Sequence, residues 1–320
     1  MNDTTHINSS RRDFLRGAAG VATAAALSTP ARAGAAYQLG CQTLPYRALP
    51  MARALEGIQK AGYKYVMPHY THAGKDVFTP GLPAGELEGL KRMFSDAGLT
   101  PFCRFAGFSV EYNTPKAGEI FRKELDLCVE FGIRTVVGIG PWSYDKFPTV
   151  PKRARDWDKE VAAYFAFLEP VVKYAETIGV TIAMKPHTGI TATARACMQV
   201  LKRIPSERLK ICWDAGNVSF YEGIQPDPDL PDLAPDVKAV CIKDHKGLRG
   251  DANFPVPGAG QVDHDLMFRV LFGAKFRGPI AVERVDGTGD AEKMPAELID
   301  ERLTAARSFL VPILDKYARA

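Results

Sequence analysis

Short apolar runs alternate with amphipathic stretches along most of this chain. The apolar runs fall at 37–42, 65–69, 100–105, 135–139, 181–185, 210–214, 237–244 and 280–283. Most are apolar on consecutive positions, the pattern of strands covered on both faces. Between several of them lie segments of helical length and period, at 52–61, 86–97, 118–131, 158–178, 194–204 and 264–272. Gly62, Gly98, Gly132 and Gly179 each follow a helical segment and precede a strand, as expected where a helix ends in a left-handed turn. Eight β/α units with no break in composition predict one α/β domain, a single (β/α)8 TIM barrel over residues 34–320. The chain has 320 residues, enough for a barrel that typically needs about 250. An open doubly wound sheet is the competing arrangement, but no G-x-G-x-x-G follows the first strand, and no nucleotide cofactor is expected.

Residues 1–33 stand outside this pattern. Ser10-Arg11-Arg12-Asp13-Phe14-Leu15-Arg16 resembles a twin-arginine export signal, an Ala-rich run follows to Leu27, and Ala31-Arg32-Ala33 offers an A-x-A cleavage site. A disordered basic tail on a cytosolic enzyme would explain the arginines, but not the three parts in this order. The expectation is recognition by the twin-arginine export machinery and a periplasmic mature protein. The apolar run is too short for a stable membrane anchor, which needs about 20 apolar residues.

Composition adds constraints. Apolar residues make up 46% and charged residues 24%, so a large core is available. The net charge is +4, and residues 1–33 hold four Arg and two Asp, leaving about +2 on residues 34–320. That is too little to imply a nucleic-acid partner. Of six cysteines, Cys41, Cys103, Cys212 and Cys241 sit inside predicted strands, which suits buried thiols in a protein that folds before export. No C-x-x-C zinc pattern occurs.

Barrel active sites form at the C-terminal ends of the strands. Strand five ends Met184-Lys185-Pro186-His187-Thr188-Gly189, and the two-residue spacing sends Lys185 and His187 to one face. Strand six ends Cys212-Trp213-Asp214-Ala215-Gly216-Asn217, strand seven Cys241-Ile242-Lys243-Asp244-His245, and strand eight Val282-Glu283-Arg284. Four consecutive strands thus bring ionisable groups to one rim. Asp214 also suits a helix cap. Lys185 is open to three readings: counter-ion to Asp214, base with a lowered pKa, or Schiff-base former. His187 joins the catalytic candidates Glu283, Lys185 and Lys243. Asn217, His245, His69, Arg104 and Trp142 are candidate substrate contacts, Trp142 through its apolar face. Asp244 is expected to orient a loop, and Cys241 to fill the barrel.

These four segments, together with Val256-Pro257-Gly258-Ala259-Gly260-Gln261-Val262-Asp263, resemble the xylose isomerase-like sugar phosphate isomerase/epimerase superfamily. Inosose dehydratases share the H-x-G at His187, the D-x-G at Asp214, the Lys243-Asp244 pair and the P-G-x-G-x-V-D turn. The resemblance implies a divalent metal (Mn, Mg or Zn) on Glu, Asp, His and Glu from strands five to eight, polarising a sugar carbonyl. Asp214 and Glu283 match that set, whereas Lys185 and Cys241 occupy the other two places. Either an ammonium replaces the metal, or His187 or His245 joins Asp214 and Glu283 as shifted ligands.

The resulting expectation is an isomerase or epimerase acting on a keto-sugar or related polyol, with Glu283 and Lys185 as base and acid in undecided order. One alternative is a lyase or hydratase on a 3-keto-glycoside or inosose-like substrate. Another is a non-catalytic periplasmic sugar-binding barrel whose metal site has decayed. A hydrolytic endonuclease on this fold is disfavoured, since the six histidines show no multi-His cluster.

Overall fold

The computed structural model describes residues 37–106 and 112–318. The export signal lies outside them. The strands are β1 (Gln38–Gln42), β2 (Tyr65–Met67), β3 in two halves (Thr100–Pro101 and Arg104–Phe105), β4 (Thr135–Ile139), β5 (Thr181–Lys185), β6 (Leu209–Trp213), β7 (Val237–Ile242) and β8 (Pro279–Val282). The helices are α1 (Met51–Lys60), α2 (Ala84–Asp96), α3 (Ala117–Glu130), α4 (Ala154–Ile178), α5 (Ala194–Arg203), α6 (Ala215–Glu222), α7 (Leu230–Leu233), α8 (His264–Gly273) and α9 (Ala296–Ala318).

All pairings in the main sheet are parallel, and β1 joins β8 on one side and β2 on the other. The first half of β3 pairs with β2 and the second half with β4, so the two sheet ends are halves of one strand. That closes the barrel. The expected continuous strand at 100–105 is interrupted at Phe102-Cys103, because Phe102 turns into the barrel beside Gly40. A Cβ on Gly40 would stand 2.6 Å from the Phe102 ring, so glycine makes room for it.

Alternation along the strands separates two apolar layers. Met67, Phe105, Val137, Ala183, Cys212, Cys241 and Ala281 fill the barrel interior. Their neighbours, such as Val66, Val136, Ile182, Ile211, Val240 and Ile280, pack outward against the helices. The interior residues of β5 to β8 are small, which leaves width at the C-terminal end for larger polar side chains. α4 ends on Gly179 at φ 69°, the left-handed conformation expected from the sequence. Among the described residues, no helix is long and apolar enough to cross a membrane, and all six cysteines are free and buried.

Candidate active site

Two residues beyond the interior positions Ala183, Cys212, Cys241 and Ala281 stand Lys185, Asp214, Lys243 and Glu283. The strand period therefore points all four inward at the mouth. Asp214 follows β6 with extended dihedrals and starts α6, where its Oδ1 accepts from the amide of Asn217 at 2.8 Å. Capping and a place in the site are thus combined in one residue, because its Oδ2 turns to the barrel axis. There Lys185 Nζ lies 2.9 Å from Asp214 Oδ2 and 2.5 Å from Glu283 Oε2. Lys243 Nζ lies 3.1 Å from Glu283 Oε2 and 3.5 Å from Asp214 Oδ2. Cations and anions alternate around this ring. The side-chain exposures are 3% for Lys185, 0% for Asp214, 6% for Lys243 and 9% for Glu283, so bulk water does little to screen it. At an effective dielectric of about 20, unit charges about 4 Å apart interact by about 4 kcal/mol, enough to hold such a ring in its charged form.

Burial by itself pulls the Lys185 pKa down, but the Asp214 and Glu283 carboxylates outweigh it and raise it well above the ordinary range. Burial pushes Glu283 up, and the Lys185 and Lys243 ammoniums more than reverse that, holding it well below the usual carboxylate range. Lys185 is therefore held as an ammonium and Glu283 as a carboxylate at neutral pH. A Lys185 free base, as Schiff-base chemistry needs, is disfavoured.

Lys185, Lys243 and Glu283 form one wall of a cavity of about 330 Å³, with Asp214 behind them, and Gln42, His69, His187, Asn217, Tyr221 and Arg284 also line it. That volume suits a small-molecule ligand. His187 Nε2 shares a 2.8 Å hydrogen bond with Tyr221 Oη. Burial, reinforced by the Lys185 and Lys243 charges, lowers the His187 pKa to about 3, so its ring is neutral. Burial likewise lowers His69 to about 4. Asn217 donates through Nδ2 to the Pro186 carbonyl at 2.6 Å, tying the end of β5 to α6. Two buried atoms on the cavity residues, Gln42 Oε1 and His187 Nδ1, have no hydrogen-bond partner among the described residues. Buried polar atoms of this kind are normally satisfied, so they suit a ligand carrying hydroxyl groups. Trp142, 37% exposed, does not line this cavity but packs behind two residues that do, its ring 5.3 Å from His187 and 5.9 Å from Tyr221.

Two more expected substrate contacts, Arg104 and His245, also lie outside the cavity. Arg104 does not line the cavity: Phe105 takes the inward position of its strand, so Arg104 points to the helix layer. There it pairs with Glu124 of α3 and donates to the Phe78 carbonyl. His245 is held inside a loop, with Nδ1 2.8 Å from Ser219 Oγ and Nε2 2.9 Å from the Asp251 carbonyl. Asp244 accepts from the amides of His245, Gly258, Gly260 and Val262, ordering the P-G-x-G turn. Cys241 sits beneath Lys243 with its Sγ 3.6 Å from Cys212.

A family model described as xylose isomerase-like TIM barrel matches residues 55–307. The chain belongs to this family. A twin-arginine translocation signal model matches residues 8–28. No protein of curated function matches the sequence. Among solved structures, a xylose isomerase domain protein from Planctomyces limnophilus superposes with a TM-score of 0.65 at 16% identity, covering 83% of this chain and 94% of the other. D-allulose 3-epimerase from Methylomonas sp. gives 0.65 at 18%, covering 87% and 98%. The 3-keto-D-glucoside 4-epimerase of E. coli gives 0.63 at 17%, covering 85% and 99%. At these identities the likeness is one of fold.

The divalent ion that membership of the xylose isomerase-like family implies does not fit these residues. Among the described residues, no group of three or more His, Cys, Asp or Glu side chains is placed to hold an ion. The reading with shifted ligands is not supported either: both ring nitrogens of His245 are engaged in its loop, and His187, whose Nδ1 is without a partner, does not gather with Asp214 and Glu283 into a group placed to hold an ion among the described residues. Three cavity residues escaped the sequence reading. Gln42 lies one strand period beyond Gly40, the same signal that singled out Lys185. Tyr221 lies one helical turn beyond Asn217. Arg284 points away from Glu283, as alternation requires, yet reaches the cavity while paired with Asp286 at 2.9 Å.

Proposed function

We propose that this protein is an exported sugar isomerase or epimerase that removes a proton next to the carbonyl of a keto-sugar or related polyol. The observation that carries this reading is the charge-separated Lys185–Glu283 pair, 2.5 Å apart, opening on a cavity with two unpartnered polar atoms. In this reading the charge-separated pair divides the roles, with Glu283 accepting a proton and Lys185 donating one. Glu283 takes the proton from the carbon, and the C–H electron pair forms the C=C bond as the carbonyl electrons move to oxygen. Lys185 returns a proton to carbon, and the proton on Glu283 then passes back to Lys185 across their contact. Two groups in contact at 2.5 Å serve one face, so return to the neighbouring carbon of the enediol moves the carbonyl, and return to the original carbon is read as solvent exchange. Gln42, His187 and Asn217 position the hydroxyls, and Trp142 packs behind His187. The fold shared with sugar epimerases supports the reading. The signal supports a periplasmic location, with residues 34–320 as the mature enzyme.

The test is solvent deuterium incorporation, followed by NMR, across keto-sugars, 3-keto-glycosides and inososes. Glu283→Gln should abolish exchange while leaving binding largely intact, and Lys185→Met should lower it by about 10²–10⁴. Loss of a β-substituent during exchange would redirect the reading to a lyase. Binding without exchange on every compound would redirect it to a sugar-binding barrel.

A further inference from the structure

The ring at the barrel mouth contains as much positive as negative charge. Asp214 and Glu283 contribute two negative charges, Lys185 and Lys243 two positive ones. Each ammonium reaches both carboxylates, through the same Asp214 Oδ2 and Glu283 Oε2 atoms. A divalent ion needs oxygen ligands at about 2.0–2.6 Å. Placed between these oxygens it would meet two ammoniums already 2.5–3.5 Å from them, in side chains at most 9% exposed. Four positive charges would then face two negative ones with little water to screen them, an arrangement burial strongly disfavours.

We propose that the paired ammoniums of Lys185 and Lys243 replace the divalent cation, and that Lys243 is the group that stabilises the oxyanion formed from the substrate carbonyl. This rests on the proposed proton-abstraction reading for its catalytic half only. The two lysines differ in how they are held. Lys185 has the shorter contacts, 2.5 and 2.9 Å, and acts as the fixed counter-ion and proton donor. Both lysines line the cavity, and Lys243 has the longer contacts, 3.1 and 3.5 Å. It is the ammonium better able to turn an N–H toward a substrate oxygen while Lys185 keeps its contacts with both carboxylates. A fixed donor aimed at a developing oxyanion supplies what a Lewis acid supplies, without a metal. The C–H electron pair becomes the C=C bond, the carbonyl π pair ends on the oxygen held by Lys243, and no further reactant is needed.

The experiment uses the mature enzyme purified without added metal. Metal content is measured by elemental analysis, and Mn²⁺ is titrated by calorimetry. The wild type should carry only substoichiometric metal and show no stoichiometric Mn²⁺ binding. A Lys185→Glu, Lys243→Gln double variant gathers three carboxylates with no ammonium, and should gain one Mn²⁺ per chain that a further Asp214→Asn removes. Deuterium exchange by the wild type should persist in a chelator. Lys243→Met should lower kcat by about 10²–10³, the usual loss for one oxyanion donor. One Mn²⁺ per wild-type chain, lost on Asp214→Asn, would overturn charge replacement, as would exchange that stops in the chelator. Full exchange by Lys243→Met would overturn the oxyanion assignment. If the double variant fails to fold, the wild-type titration decides. A wild type that binds no cation and exchanges no compound would leave the charge replacement standing and remove the proposed activity.

Discussion

Gly216 packs against Lys243 so closely that a Cβ on the glycine would lie 2.4 Å from Lys243 Cγ and 2.6 Å from its carbonyl oxygen. The first turn of α6 therefore sets where Lys243 stands, and the D-x-G segment that begins it is a packing requirement as well as a motif. Gly216→Ala should lower stability by about 1–3 kcal/mol through overpacking. It should also lower exchange activity beyond what the folded fraction explains, because Lys243 is displaced from Glu283. Urea denaturation alongside deuterium exchange checks both, and an alanine variant with unchanged exchange would show that Lys243 tolerates the shift.

Arg104 is predicted to matter for folding rather than for substrate. Its guanidinium and Glu124 are almost wholly buried. Arg104→Met leaves a buried carboxylate without its partner, a loss of about 3–5 kcal/mol. Burial already pushes Glu124 up, against the pull of Arg104. A carboxyl raised in the folded state favours folding below its unfolded pKa, and this contribution fades as pH rises through the folded value. The deficit of Arg104→Met should therefore be larger at pH 8 than at pH 5, as read from urea midpoints.

Glu283 should leave the opposite signature. Burial raises its pKa, but the two ammoniums outweigh that and lower it below the ordinary 4.5. A carboxyl lowered in the folded state contributes stability above its unfolded pKa and loses it as pH falls toward the folded value. Lys185, raised above 10.5, contributes below that pH. The ring thus supports stability between about pH 4.5 and 10.5. The stability difference between wild type and Glu283→Gln should be largest near neutrality and shrink below pH 4.5. A difference independent of pH would argue against the ion pairing.

Export is expected to depend on the paired arginines. Arg11→Lys combined with Arg12→Lys should hold the precursor in the cytoplasm, with the signal uncleaved. Fractionation and immunoblotting read this directly, and periplasmic accumulation of the double variant would reject the twin-arginine route.

The sequence by itself determined the order of β and α units, the signal, and the strand ends where chemistry gathers. Each is a local property: a period of two sends Lys185 inward with Ala183 and Glu283 inward with Ala281, whatever the neighbouring strands do. Only the tertiary structure decided which of these charges meet. Lys185 and Glu283 are 98 residues apart and touch because β5 and β8, with β6 and β7 between them, send both side chains inward at the same end of the barrel. Strand three shows the limit from the other side. Its apolar run reads as one strand, but Phe102 filling the space over Gly40 breaks it and leaves Arg104 pointing outward to Glu124. His245 follows Lys243 by two residues, as a third inward group would, yet β7 has ended at Ile242 and the chain turns it into a loop against Ser219. Alternation carries one residue past these strand ends, to Asp214, Lys243 and Glu283, and is lost beyond, where packing between distant segments directs the chain.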